Sequence, residues 1–204
     1  MTTQAIATRR NWRVVDIVVA ALIAVAGGVI FWAWDQGANL ITAFTTAFPP
    51  GGGLYVGGWL LPGVLAGLII RKPGAALFVE VIAACSELVM GSQYGLTVLA
   101  SGAIQGLGAE IALAIFLYRK FNLPVGILSG ALAGLGCSIN DNFMPWGWNI
   151  EWDGGSKALY TVFCILSGAV IAGALSWLAT RGLAKTGALS AFASRKAGSE
   201  PAFR

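Results

Sequence analysis

Histidine is missing from all 204 residues, and only 11% of them are charged. The first absence removes the usual general base at neutral pH and most zinc chemistry. The second excludes more. Soluble domains carry about 25% charged residues, so this chain has too few to coat a globule with water-compatible surface. With 57% hydrophobic residues and a mean hydropathy of +0.76, the composition is that of an integral membrane protein. No Gly-x-x-x-x-Gly-Lys-Ser/Thr loop occurs, so P-loop ATP binding is excluded. No Gly-x-Ser-x-Gly elbow occurs either. Cys85, Cys137 and Cys164 are scattered through apolar segments and form neither a metal pattern nor a disulfide framework, so they read as packing residues. The expectation is a protein that is not an enzyme and needs no metal or cofactor. Arg9, Arg10 and Arg13 precede an apolar stretch of about 20 residues, long enough to span a bilayer. No A-x-A-like cleavage site follows closely, so the stretch reads as a retained helix rather than a signal peptide.

What is present is long apolar runs. A hydrocarbon core of about 30 Å needs about 20 helical residues. Six candidates follow: Val14–Trp34, Leu54–Ile70, Ala75–Met90, Leu96–Tyr118, Val125–Phe143 and Ala158–Thr180. Pro62 interrupts the second, and Glu80, Ser86 and Glu87 break the third. None alternates with period two over about 10 residues, which argues against a β-barrel. The predicted fold is all-α and polytopic. It has a short N-terminal segment (1–13), a six-helix membrane domain (14–180) and a flexible tail (181–204).

Charge sets the orientation. Arg9, Arg10, Arg13, Arg71, Lys72, Arg119, Lys120, Arg181, Lys185, Arg195, Lys196 and Arg204 fall at the N-terminus, every second loop and the C-terminus. Only Lys157 falls in the other loops. By the positive-inside rule both termini are cytoplasmic, as in a multi-pass protein of the bacterial cytoplasmic membrane. The first outer loop, 35–53, is long. Leu40, Ile41, Phe44 and Phe48 recur in it at helical spacing, before Pro49-Pro50 and a flexible Gly51-Gly52-Gly53 joint. A short amphipathic helix is expected there, either a mobile lid or a passive helix lying at the membrane interface.

An acid at mid-bilayer costs about 2.5–3.5 kcal/mol and needs a reason. On an outward-rising third span, Glu80 lies about 9 Å from the inner end and Glu87 about twice as far. Depth then sorts the polar residues in two. The outer group is Glu87, Gln93, Tyr94, Gln105, Asn140 and Asp141, level with the aromatics Trp32, Trp34, Tyr55, Trp59, Trp146, Trp148 and Tyr160. The inner group is Glu80 and Glu110, read either as protonated packing partners hydrogen-bonded between helices or as proton or sodium sites. The outer group suits a pocket for a flat, nitrogen-rich or cationic ligand. Rings stack or make cation–π contacts, carboxylates accept from amino groups, and amides do both. The loop NDNFMPWGWNIEWDGG adds Trp152, Glu151 and Asp153. Trp146 and Trp148 are expected to roof the pocket, and Trp152 to belong to the interfacial belt. Asp141 also reads as a cap on its span.

Ala20, Ala24 and Gly28 repeat every four residues on the first span, a small-residue stripe that permits close helix contact within the protein or with a partner. Gly126, Gly130 and Gly134 do the same on the fifth span, and Gly102 and Gly106 on the fourth. The text WRVVDIVVAALIAVAGGVIFWAW, then GGWLLPGVLAGLIIRKPGAALFVEVIAA, then GAIQGLGAEIALAIF, resembles the YkoE-type substrate-binding (S) components of energy-coupling factor vitamin transporters. The likeness runs from about Trp12 to Thr180. The resemblance implies a membrane-embedded capture subunit for thiamine or its hydroxymethylpyrimidine precursor. It also implies partners: a transmembrane scaffold subunit, docked through Ala20, Ala24 and Gly28, and two ATPases. The loop 35–53 would be the gate. The rival readings are a stand-alone proton- or sodium-coupled carrier of a heterocyclic or cationic solute, an intramembrane enzyme, and an assembly protein with no small ligand.

Overall fold

The computed structural model describes residues 11–203; Arg9, Arg10 and Arg204 lie outside the described residues. Those residues hold helices and turns and no strand. The helices are α1 (Val14–Leu40), α2 (Thr42–Ala47), α3 (Leu61–Ile70), α4 (Ala75–Val89), α5 (Thr97–Ile115), α6 (Leu123–Phe143), α7 (Gly154–Ser167) and α8 (Leu175–Lys185). A π-helical turn, Gly168–Ala174, joins α7 to α8. Five segments are long and apolar enough to cross a membrane: Val14–Leu40, Pro49–Ile70, Thr97–Ile115, Leu123–Phe143 and Gly154–Lys185. α4, with 15 residues, reaches about 22 Å and falls short of that length.

The first span runs six residues past its expected end. Trp34 and Tyr55 explain why. Trp34 Nε1 donates to Tyr55 O at 2.9 Å, and Tyr55 Oη donates back to Trp34 O at 2.9 Å. The two rings stack at 4.5 Å. Gly37 has no Cβ to obstruct the tyrosine hydroxyl. This clasp holds the helix past Trp34, so Asp35 is buried in α1 rather than placed in a loop.

The second span is not one helix. Residues Pro49–Leu54 and Val56–Leu60 form 3-10 turns, and α3 starts only at Leu61. Pro62 therefore opens α3 instead of interrupting a helix, at the position where its missing N–H costs nothing. The glycines before it are packed rather than flexible. A Cβ on Gly53 would sit 2.8 Å from Tyr160 O, and one on Gly57 would sit 2.6 Å from Ile171 Cβ. Ser167 serves the backbone of these turns twice. It donates to Leu54 O at 2.7 Å and accepts from Gly57 N at 3.0 Å, satisfying groups a regular helix would have paired.

The Ala20, Ala24 and Gly28 stripe faces inward. Ala20 and Ala24 are fully buried in a cluster with Ala66, Ile69, Ala75 and Val79. A Cβ on Gly28 would meet Ser86 and Ala83 O of α4. The stripe lets α1 lie on α3 and α4, so a partner-docking role for these three residues is not what their placement provides. What α1 leaves exposed is a larger apolar face with Val18, Leu22, Val25 and Val29.

The two inner acids cap helices. Glu110 of α5 accepts from Gly74 N (2.6 Å), Ala76 N (2.9 Å) and Leu77 N (3.3 Å), the orphan donors that start α4. Tyr118 Oη adds a fourth bond at 2.6 Å. Glu80 of α4 accepts from Gly63 N, in the first turn of α3, at 2.7 Å, while its Oε1 has no partner. Both carboxyl groups thus supply acceptors to backbone donors at helix starts. Glu110→Ala leaves several donors unmatched at once. We expect it to cost at least about 2 kcal/mol, read as a fall of at least about 4 °C in the Tm of the detergent-purified protein.

The tail is docked, not free. Gly187, at φ 83°, turns the chain back after α8, and Leu189, Phe192 and Ala197 are buried. Arg71 grips Glu200 with two bonds of 2.8 and 2.7 Å. Arg13 donates to Ala191 O at 2.9 Å, and Ser194 Oγ donates to Ile69 O at 2.7 Å. Lys72 pairs with the buried Asp16, which Arg13 also holds. Two apolar side chains in a polar-looking segment are enough to seat it. The described bases other than Lys157 thus gather at one end of the bundle, the end that also holds Asn11 and Ala202.

Candidate functional site

At the opposite end, α1, α2, the 3-10 turns and α4 to α7 enclose a cavity of about 570 Å³. Nine of the twelve residues expected in a ligand site line it: Glu87, Gln93, Tyr94, Gln105, Asn140, Asp141, Tyr55, Trp59 and Trp148. Glu87 comes from the outer turn of α4, Gln105 from mid-α5, and Asn140 and Asp141 from the last turn of α6. Three successive helices therefore bring their polar groups to one space.

Three tryptophans stand elsewhere. Trp32 is 40% exposed on the outside of α1. Trp34 is spent on the Tyr55 clasp. Trp146 is 43% exposed and braces the site from behind, its Nε1 donating to Asn140 Oδ1 at 3.0 Å. Trp152, expected in the belt, lines the cavity instead and packs edge-on against Tyr160 at 5.7 Å. Glu151 is exposed and not part of the lining. Asp153 caps α7, accepting from Gly155 N and Ser156 N, and its bonds with Ser156 hold its carboxyl below the usual carboxylate range.

The aromatic wall is continuous. Tyr55, Trp59, Tyr94 and Trp148 contact one another in series, edge to face, with centroids 5.5 to 6.0 Å apart. Such a wall offers ring faces and edges to a flat ligand.

The polar wall has two parts. On α6, Asp141 Oδ2 accepts from Tyr160 Oη at 2.6 Å, and its Oδ1 accepts from Asn140 Nδ2 at 2.9 Å. Those bonds come from within the fold, so Asp141 is an oriented carboxylate and not a helix cap. Asn140 and Gln105 both donate to Ser101 Oγ, at 3.2 and 2.9 Å, tying α5 to α6. On α4, Glu87 Oε1 accepts from Ser92 Oγ at 2.5 Å. The same hydroxyl lies 3.2 Å from Asp35 Oδ2. Trp59 Nε1 donates to Asp35 Oδ1 at 2.9 Å. Asp35, Ser92 and Ser101 are functional candidates that inspection of the sequence passed over. The available signal for Asp35 was an acid following an apolar run, which also describes any span end.

Helices apolar enough to cross a membrane, closed around an aromatic cavity with carboxylates and amides, define a membrane transport subunit that binds a small solute. The comparisons agree. Residues 15–136 match the family described as the permease component of an ABC-type cobalt transport system. The chain is 32% identical over 186 residues, 90% of each protein, to the putative HMP/thiamine permease protein YkoE of Bacillus subtilis (strain 168). Its fold is similar to the crystal structure of an S-component of an ECF transporter, with TM-score 0.81 and 31% identity over 91% of this chain and 92% of that one. The chain belongs to the YkoE-type family of energy-coupling factor S components. It is a multi-pass membrane protein, and its relatives are transporter subunits rather than enzymes.

Proposed function

We propose that the chain captures thiamine or its hydroxymethylpyrimidine precursor at the outer face of the bacterial cytoplasmic membrane. It hands the ligand to a transmembrane scaffold driven by two ATPases. The observation that carries this reading is the meeting of Glu87, Gln105, Asn140 and Asp141 with an unbroken aromatic wall. An aminopyrimidine offers an exocyclic amine to a carboxylate and a ring face to a tryptophan, and a thiazolium is a cation that rings and Asp141 stabilise. α4 serves as a short sixth span beside the five longer ones. The clustering of bases at one end supports a cytoplasmic position for both termini. Thr42, Thr45, Pro49 and Gly52 contribute to the cavity lining, which supports the segment 35–53 as its gate. With no P-loop of its own, the chain leaves ATP to its partners.

A cobalt cargo has less support, because among the described residues no three His, Cys, Asp or Glu side chains gather as metal ligands do. A proton- or sodium-coupled carrier has less support too. Glu80 and Glu110 are occupied with different helix starts and share no partner. The test is mass spectrometry of whatever co-purifies with the detergent-extracted protein, paired with titrations of thiamine and hydroxymethylpyrimidine. Recovery of either compound unchanged, or saturable binding of either, is expected. If neither binds, the reading is wrong.

A further inference from the structure

The ionisable side chains of the cavity include acids and no base. Glu87 and Asp141 stand in its wall, Asp35 lies behind Glu87, and no arginine or lysine is among the lining residues. The surroundings do not compensate. Among the described residues Lys157 is the one base at this end of the bundle. Its ammonium group donates to Ile150 O at 2.7 Å and lies 5.4 Å from the Phe143 ring centroid. Tyr94, in the connection between α4 and α5, lines the same cavity. Burial, followed by the carboxylates of Asp35, Glu87 and Asp141, pushes its phenol up to about 12. A phenol resists becoming an anion there for the same reason that any ligand anion is opposed. In a site this far out of water, a like charge without a partner is strongly disfavoured.

We infer that the cavity sorts the forms of one vitamin by charge: it takes the free heterocycle and rejects its phosphate esters, with Asp141 and Glu87 setting the discrimination. The inference rests on the thiamine-class reading above and adds a selectivity to it. A phosphate monoester carries between one and two negative charges at neutral pH, and the cavity offers it carboxylates and ring faces but no cation. Repulsive groups of this kind give specificity as effectively as attractive ones.

The experiment is calorimetric titration of the full-length purified chain with thiamine, thiamine monophosphate and thiamine diphosphate. It is repeated with hydroxymethylpyrimidine and its phosphate. Each ester is expected to bind at least about 30-fold more weakly than its parent. Asp141→Asn and Glu87→Gln are each expected to weaken the parent and to narrow the parent-to-ester ratio at least about fivefold. Two variants on different helices guard against one failing to fold. Parent and ester affinities within threefold of each other overturn the inference and leave vitamin capture standing. A ratio unchanged in both folded variants overturns the assignment to these two carboxylates. A chain that binds neither parent compound overturns the capture reading and this inference with it.

Discussion

Glu87→Gln is expected to weaken binding of an aminopyrimidine ligand at least tenfold, about 1.4 kcal/mol, and Asp35→Asn to do the same from a position outside the cavity lining. Glu87 lines the cavity; Asp35 does not, but its carboxyl group contacts that of Glu87, and the Ser92 hydroxyl lies within bonding distance of both. The Asp35→Asn change is conservative in packing, because an asparagine oxygen still accepts from Trp59 Nε1, which now bonds Asp35 Oδ1 at 2.9 Å. What it removes is charge and an acceptor beside Ser92. If Asp35 acts by positioning Glu87, the effects do not add, and Asp35→Asn costs little further affinity once Glu87 is glutamine. Calorimetric affinities of the two single variants and the double variant decide this, with Tm recorded alongside. Full additivity would mean that Asp35 acts on the ligand by another route. Unchanged affinity in Glu87→Gln would remove Glu87 from the site.

The parts of this architecture that were readable in sequence are those governed by counting along the chain. Apolar run length placed the helices, and depth along them put Glu87, Gln105, Asn140 and Asp141 on one level, where the structure brings them together. What escaped was set by partners distant in sequence. Asp35 read as a loop residue because its burial depends on Trp59 and Ser92, 24 and 57 positions away. Trp152 read as interfacial because nothing local announces that its turn folds back onto Tyr160. The Ala20, Ala24 and Gly28 repeat correctly signalled a close approach of helices, but spacing alone does not name the neighbour. The neighbours are α3 and α4 of the same chain. Tail burial was hidden similarly, since Leu189 and Phe192 are two apolar residues in a polar setting and their pocket is formed by α1, α3 and α4.

The repeats on α6 lead to the largest expected loss of fold. Gly126, Gly130 and Gly134 lie against Gly173, Gly168 and Cys164, backbone to backbone, where the π-helical turn passes. A Cβ on Gly130 would lie far inside van der Waals contact of Gly168 O, and 2.6 Å from Gly173 N. Neither atom belongs to a side chain that can swing away, so the two helices must separate. Gly130→Ala is expected to destabilise by about 3 kcal/mol, the upper part of the range for overpacking, and Gly130→Val to prevent recovery of monodisperse protein. Gly126→Ala should be milder, because its nearest neighbours would be Gly173 O at 3.2 Å and Trp177 Cβ at 3.4 Å. Gly182→Ala, with nothing within 4 Å in α8, is expected to stabilise by about 0.5–1 kcal/mol through helix propensity. The measurement is Tm in detergent together with the size-exclusion profile. Contact distance sets the order Gly130→Ala below Gly126→Ala below wild type, and helix propensity puts Gly182→Ala above wild type. A Gly130→Ala protein as stable as Gly126→Ala would mean that α6 and the π-helical turn are not locked together as closely as drawn. That lock also fixes Asp141 and Tyr160, which sit farther along α6 and α7 and share a 2.6 Å hydrogen bond across the same junction. Loosening it should therefore cost ligand affinity as well as stability, in the same rank order.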